Sequence, residues 1–224
     1  MSKQLTEKMK DTIKKQVEEL LRKRDIEWLV DLCEKDRHYW HEVRFRLYDL
    51  DEMLRWPAIR TVARLMHRWW GSAKEEKVRQ YIRMLFWSMN DESGGIGWSA
   101  PQTIAEIIFQ IPEIIDPYGR MMIAYSLDEP PLVKGGLWGI GRLGKMMSDS
   151  VGLFKDKVLS TFSTDDYETL GLASWAMGEA CFHPAVPFLE KLQSSAEVVR
   201  IYMDNDSIEK PLGQWAQEAI AKLR

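Results

Sequence analysis

The chain has 224 residues, of which 45% are hydrophobic and 29% are charged, a composition that excludes intrinsic disorder and is typical of globular proteins. Its net charge of −3 argues against a general nucleic-acid-binding protein, because basic side chains on phosphates supply most non-specific affinity. The longest nearly apolar run, residues 107–115, is much shorter than the roughly 20 residues of a membrane span, and the absence of an apolar export segment predicts a cytoplasmic protein.

The predicted elements begin with an amphipathic helix over residues 1–24, in which apolar residues recur at spacings of three and four. Asp25 follows as the N-cap of a short second helix. Pro57 suits the first turn of another helix, which runs to about Trp70. An apolar stripe over residues 78–89 predicts the next helix.

The second half of the chain continues the helical pattern. Ser99 followed by Gln102 is a capping box, which predicts a helix that runs to about residue 110. Asp165 with Glu168 is a similar N-terminal signal. No segment shows sustained alternation of apolar and polar residues between hairpin turns, so the sequence predicts an all-α fold without a sheet.

Internal repeats are the clearest feature of the sequence. Residues 56–63 match residues 98–105 at a shift of 42, and residues 136–141 match residues 173–178 at a shift of 37. Residues 213–216 repeat the start of the second pattern 40 positions later. Periods near 40 residues that hold two helices each are typical of HEAT and armadillo repeats.

Residues 133–144 resemble the first helix of a HEAT-like repeat of the phycobilisome-lyase type. Residues 172–178, followed by residues 184–189, resemble a complete helix–turn–helix unit of that family. The resemblance is clearest over residues 130–193. It implies a single domain over residues 1–224, folded as a right-handed α-α superhelix of about five or six helix pairs, in which residues 1–24 are a capping helix.

The box at residues 90–98, with the sequence NDESGGIGW, resembles a signature of an uncharacterised prokaryotic HEAT-like family. Its glycines permit a sharp turn after a helix. One interpretation is a turn that fixes the angle between repeats. The other is the edge of a groove that holds a basic peptide or a cationic ligand. The candidate binding residues are Asn90, Asp91, Glu92, Gly94, Gly95 and Trp98, together with Arg142.

The tryptophans fall into two groups. Trp138, Trp175 and Trp215 recur at the repeat spacing, so we expect them in the core. The second group lies among arginines in the first half of the chain and consists of Trp40, Trp56, Trp69, Trp70 and Trp87. These tryptophans either contact a partner or pack against cations within the fold.

No pattern points to a catalytic site, a cofactor or a metal. His38 and His41 share a helix face, but no cysteine or carboxylate cluster completes a ligand set. The G-x-G-x-x-G pattern at residues 139–144 lies inside a helical repeat without a preceding strand, which argues against a nucleotide site.

The sequence therefore predicts a non-catalytic interaction or scaffold module that binds a protein or peptide, without a cofactor, a membrane or nucleic acid as a partner. The alternative is a HEAT-like DNA glycosylase or DNA-binding protein, which the Trp- and Arg-rich first half favours and the acidic balance opposes. A subunit resembling a cofactor lyase is a further alternative, implied only by the repeat family.

Overall fold

The computed structural model of the chain is mostly helical, as the sequence predicts. It describes residues 2–90, 97–204 and 206–224, and side chains from residue 9 onward. The described chain forms two compact units, Met1–Tyr81 and Ile82–Arg224, called unit 1 and unit 2 below. Unit 1 contains α1 (Ser2–Lys23), α2 (Ile26–Lys35), α3 (Arg37–Phe45), α4 (Glu52–Trp69) and the first half of α5 (Glu75–Met89).

Unit 2 begins within α5. Its helices and its two strands are α6 (Ala100–Gln110), α7 (Ile115–Ser126), α8 (Pro130–Leu143), α9 (Ser148–Leu153), α10 (Lys155–Ser160), α11 (Tyr167–Glu179), α12 (Val186–Leu192), β1 (Val198–Met203), β2 (Asp206–Pro211) and α13 (Leu212–Leu223). Short 3₁₀ turns precede several of these helices.

Aspartate caps set where two helices of unit 1 begin. The Asp25 carboxylate accepts a hydrogen bond from the Trp28 amide at 3.4 Å, which confirms the predicted cap of α2. Asp51 accepts one from the Met53 amide at 2.9 Å. Because this cap starts α4 at Glu52, Pro57 lies inside the helix, and the prediction that it occupies the first turn was wrong.

Two capping predictions in unit 2 were only partly correct. Ser99 is the N-cap of α6, and the helix ends at Gln110 as expected, but the Ser99 side chain caps no backbone amide. At α11 the cap is Asp166, one residue after the predicted Asp165, and its carboxylate accepts from the Glu168 amide at 3.2 Å.

Unit 2 is organised by helices that pack in chain order. Helix α8 packs against α6 on one side and against α11 on the other, and α11 packs in turn against α13. Helix α7 contacts both α6 and α8, and α12 contacts α13. Each of the helices α6, α8, α11 and α13 therefore buries its apolar side chains against the next one, which builds the core of the unit from Ile104, Ile107, Leu137, Ile140, Leu172, Met177 and Leu212.

Small residues allow these helices to approach each other closely. A Cβ atom on Gly136 would overlap the Ser126 side chain, and one on Gly178 would lie 2.7 Å from the Cα of Ala219. Gly136 therefore lies at a close approach between α8 and α7. Trp138, Trp175 and Trp215 are all buried, as the repeat spacing predicts.

The all-α prediction missed a β-hairpin between α12 and α13. Strands β1 and β2 pair antiparallel, with Ile201 opposite Ile208. Val199 and Ile201 are buried, and β1 packs against α11. Buried and exposed residues alternate over only a few positions of β1. Val198 and Tyr202 lie on the opposite face from Val199 and Ile201, so the sequence does not show a clear alternation of apolar and polar residues. The hairpin is therefore stabilised by its contact with the helices, which a local pattern does not show.

The coarse fold is thus helical with one small sheet, whereas the superhelix and the single domain over residues 1–224 stay predictions. Among the described helices, none combines the length and the apolar character that a membrane crossing requires.

A matched pair of glycine substitutions tests the close packing of α11 on α13. In Gly178→Ala the new methyl group would lie 2.7 Å from the Ala219 backbone, and we expect a loss of about 1–3 kcal/mol in the free energy of unfolding. In Gly152→Ala the methyl group meets nothing within 4 Å, so α9 should gain about 0.5–1 kcal/mol from the better helix former. Urea denaturation measures both, and equal effects would contradict the packing described.

Candidate binding site

The candidate residues of the 90–98 box are only partly described. Asn90 follows the last turn of α5, where its side-chain amide donates to the Phe86 carbonyl at 3.2 Å. Asp91, Glu92, Gly94 and Gly95 lie outside the described residues. At the end of the box, the Gly97 amide donates to the Ser88 carbonyl at 2.8 Å, and Trp98 is half-buried. The role of the box as a turn or a binding edge stays a prediction.

Arg142, the remaining candidate, forms a two-pronged ion pair between α8 and α6. Its Nε donates to Oε2 of Glu106 at 2.8 Å, and its Nη2 donates to Oε1 at 3.2 Å. The Glu106 residue is only 2% exposed, whereas 19% of the Arg142 side chain is exposed. The buried carboxylate thus faces the helix layer, and the guanidinium lies between it and the solvent.

The desolvation of Glu106 explains why the arginine takes this position. An ionised carboxylate in the protein interior is costly unless a counter-charge and hydrogen bonds replace its water. Arg142 supplies both, because its planar fork matches the two carboxylate oxygens. Glu106 therefore fixes the orientation of Arg142.

Two further groups surround the guanidinium. Its carbon lies 3.7 Å from the centroid of the Phe109 ring, within the range of a cation–π interaction. Its Nη1 donates to Asp204, in the hairpin, at 3.3 Å. An arginine carries five N–H donors, and three of the Arg142 donors are used in these bonds, so two remain for a bound acceptor.

Gln102 adds an unused acceptor on the same face of α6, one turn before Glu106. Its side-chain oxygen is buried and accepts no hydrogen bond from the residues that the structure describes. The oxygen lies close to the backbone of Gly135 on α8, where an added Cβ would approach it to 2.5 Å. Because solvent does not reach this oxygen, it contributes to the packing of α6 on α8 and not to an exposed binding surface.

The β-hairpin covers part of this region. The Trp138 indole nitrogen donates to the Tyr202 carbonyl of β1 at 2.7 Å, next to the bond between Arg142 and Asp204. We call the set Gln102, Glu106, Phe109, Trp138 and Arg142 the α6–α8 face. The hairpin therefore forms one border of the α6–α8 face.

The chemistry of the α6–α8 face suits binding better than proton transfer. Both oxygens of Glu106 are held by Arg142, so this carboxylate is a poor general base. The accessible groups of the face are the guanidinium of Arg142, which is held in one orientation and keeps two unused N–H donors, and the Phe109 ring, which is 39% exposed. Arginine and aromatic side chains are enriched in protein interfaces.

Sequence reasoning singled out Arg142 but missed its partners Glu106, Phe109 and Asp204. Glu106 carried a usable signal, because it is the only charged residue of α6 and stands between Ala105 and Ile107. A charged residue on the apolar face of a helix requires a partner. No local signal identified Asp204, which lies 62 residues from Arg142 along the chain.

The other candidate aromatic and histidine side chains take several environments. Trp56 is buried, whereas the Trp87 residue is 79% exposed. The Nδ1 atom of His38 lies 2.8 Å from the Asp36 carboxylate. Within the described ranges, no group of three or more His, Cys, Asp and Glu side chains is arranged to hold a metal ion.

A mutant cycle tests whether Arg142 compensates for the burial of Glu106. We expect Arg142→Ala to lower the free energy of unfolding by about 3–5 kcal/mol, because it leaves a buried carboxylate without a partner. The single variant Glu106→Gln and the double variant Glu106→Gln/Arg142→Ala complete the cycle, and the double variant should recover part of this loss, since no buried charge remains. Asp204→Ala, a change at an exposed partner, should cost less than about 1 kcal/mol. Strictly additive effects in chemical denaturation would show that Glu106 and Arg142 are not coupled.

Comparisons with known proteins provide a relative but no function. No protein-family profile matches the chain. An uncharacterized protein of Archaeoglobus fulgidus (strain ATCC 49558 / DSM 4304 / JCM 9628 / NBRC 100126 / VC-16) is 33% identical over 104 residues, which cover 46% of this chain and 53% of that protein. The match thus spans about half the length of each protein, and the chain is similar to that archaeal protein over this part.

Proposed function

We propose that the chain is a cytoplasmic, non-catalytic helical-repeat protein of the HEAT-like type, and that its α6–α8 face binds a segment of a partner protein. One observation carries the proposal: α6, α8, α11 and α13 pack side by side in chain order. Stacked repeats in which each unit contacts only its neighbours create extended surfaces for peptide segments.

The groups on the α6–α8 face support a peptide as the ligand. The two spare N–H groups of Arg142 suit backbone carbonyl oxygens of a peptide. The Phe109 residue is 39% exposed and offers an apolar contact beside these polar groups. Aromatic and arginine side chains are the residue types that contribute most to protein interfaces.

Site-specific photocrosslinking in the native host tests this proposal. A photoreactive phenylalanine analogue at Phe109 should form a discrete crosslinked species, and the same analogue at Tyr167 is the matched control. Tyr167 is also an exposed aromatic residue of unit 2, at 48%, but it lies outside the α6–α8 face. Arg142→Gln combined with Glu106→Gln should abolish the Phe109 species. Equal crosslinking from both positions, or none from Phe109, would contradict a binding role for this face.

The DNA glycosylase and DNA-binding alternative predicts a different result. We expect no binding to duplex DNA tighter than about 10 μM at physiological salt, because an acidic chain gains little from the release of phosphate counterions. Fluorescence anisotropy with a labelled duplex at several salt concentrations measures this. Submicromolar affinity that falls steeply with salt would favour the DNA alternative over a peptide-binding role.

A further inference from the structure

Unit 1 contains basic side chains in two different electrostatic environments. On one side, arginines of α4 are neutralised by carboxylates of α2. Arg64 pairs with Glu27 at 2.6 Å, and Arg68 pairs with Asp31 at 2.5 Å and with Glu27 at 2.9 Å. These charges form an ordinary exposed network, and their attraction for an external ligand is largely cancelled.

The second environment lies between α3 and α5, where the cations contact aromatic rings. The Arg44 guanidinium lies 5.5 Å from the Trp40 centroid and 5.9 Å from the Tyr81 centroid. The Lys77 ammonium lies 6.0 Å from the Trp69 centroid. None of the cations Arg37, Arg44 and Lys77 forms an ion pair with a carboxylate of the described chain.

These residues form one continuous surface. The Trp40 ring is 5.2 Å from the Tyr81 ring and 6.2 Å from the Trp69 ring, measured between centroids. Arg37, Trp40 and Arg44 recur at spacings of three and four on α3, so they share a helix face. We call the set Arg37, Trp40, Arg44, Trp69, Lys77 and Tyr81 the α3–α5 cationic surface.

The packing holds Arg44 in place without neutralising it. Arg44 is half-buried between two rings, and Tyr81 is buried. An aromatic face attracts a cation but leaves its N–H groups free to donate at the rim. The carboxylate of Glu34 lies at the border, where it accepts from the Trp69 indole at 2.9 Å and also pairs with Arg68 at 3.3 Å and Lys74 at 3.6 Å. Asp36, the N-cap of α3, also attracts Arg37 electrostatically. Since Arg44 and Lys77 pair with no carboxylate of the described chain, the surface keeps a positive charge.

We propose that the α3–α5 cationic surface binds an acidic segment of a partner protein, whose carboxylates accept hydrogen bonds from Arg44, Arg37 and Lys77. Carboxylate oxygens complement these donors in both charge and geometry. Single-stranded nucleic acid fits less well, because it needs ring faces open for base stacking. Here the rings pack tilted against one another and against the cations. This site is separate from the α6–α8 face, and it does not depend on the function proposed there.

A labelled octaglutamate peptide is the probe, and fluorescence anisotropy at about 50 mM ionic strength is the measurement. We expect saturable binding that weakens as salt is added. The variant Arg44→Gln/Lys77→Gln should weaken it about tenfold, as the loss of charge-assisted hydrogen bonds implies. The matched control is Lys145→Gln/Lys155→Gln, which removes the same charge from exposed positions of unit 2 and should change the affinity less than about twofold.

One further variant keeps the result interpretable. Arg37 is exposed, so Arg37→Gln should fold normally and still weaken the binding of octaglutamate, even if the Arg44 variant is unstable. Absence of octaglutamate binding, or an equal loss in the control pair, would overturn the proposal. Tighter binding of labelled oligothymidylate than of octaglutamate, lost in the Arg44 variant, would identify a nucleic-acid surface instead.

Discussion

The distance between neighbouring helices is the constraint on which unit 2 depends. At Gly136 and Gly178 the facing element occupies the space where a Cβ atom would lie. Dispersion forces decrease steeply with distance, so this approach lets whole rows of side chains contact each other. Between α8 and α6 the close approach lies at Gly135, where an added Cβ would lie 2.5 Å from the Gln102 side chain, and this contact favours one register of the two helices. Only in that register do Glu106 and Arg142 meet with both carboxylate oxygens bonded.

The ion pair between Glu106 and Arg142 contributes less to stability than to the orientation of the Arg142 guanidinium. An apolar pair of similar volume would stabilise α6 and α8 at least as well. The ion pair instead holds a guanidinium at the surface in one orientation, with Phe109 on its face and Asp204 at its edge. Preorganised donors bind a ligand with a smaller loss of side-chain entropy. The contacts of Arg142 with Glu106, Phe109 and Asp204 thus hold its remaining donors in one orientation.

The net charge of −3 conceals surfaces of different character. Residues 1–90 carry 20 Lys and Arg against 15 Asp and Glu, whereas residues 91–224 carry 11 against 19. In unit 1 some of the basic side chains pack on aromatic rings instead of carboxylates, as Arg44 and Lys77 do. Since salt at physiological concentration screens exposed charges over about 8 Å, a ligand responds to the local arrangement of charges and not to the net charge of the chain. The two proposed sites thus suit different partner segments, a neutral backbone at the α6–α8 face and carboxylates at the α3–α5 cationic surface.

The sequence by itself determined the helices and the burial of Trp138, Trp175 and Trp215, because helical periodicity and repeat spacing are local properties of the chain. The local sequence also identified Asp25 as the N-cap of α2, and it included Arg142 among the candidate binding residues. Only the tertiary structure decided what Arg142 does. Its partners Glu106 and Asp204 lie 36 and 62 residues away, and such contacts follow from helix packing, which no short pattern encodes. The β-hairpin was missed on the same physical ground, since Val199 and Ile201 are buried only where β1 packs on the helices.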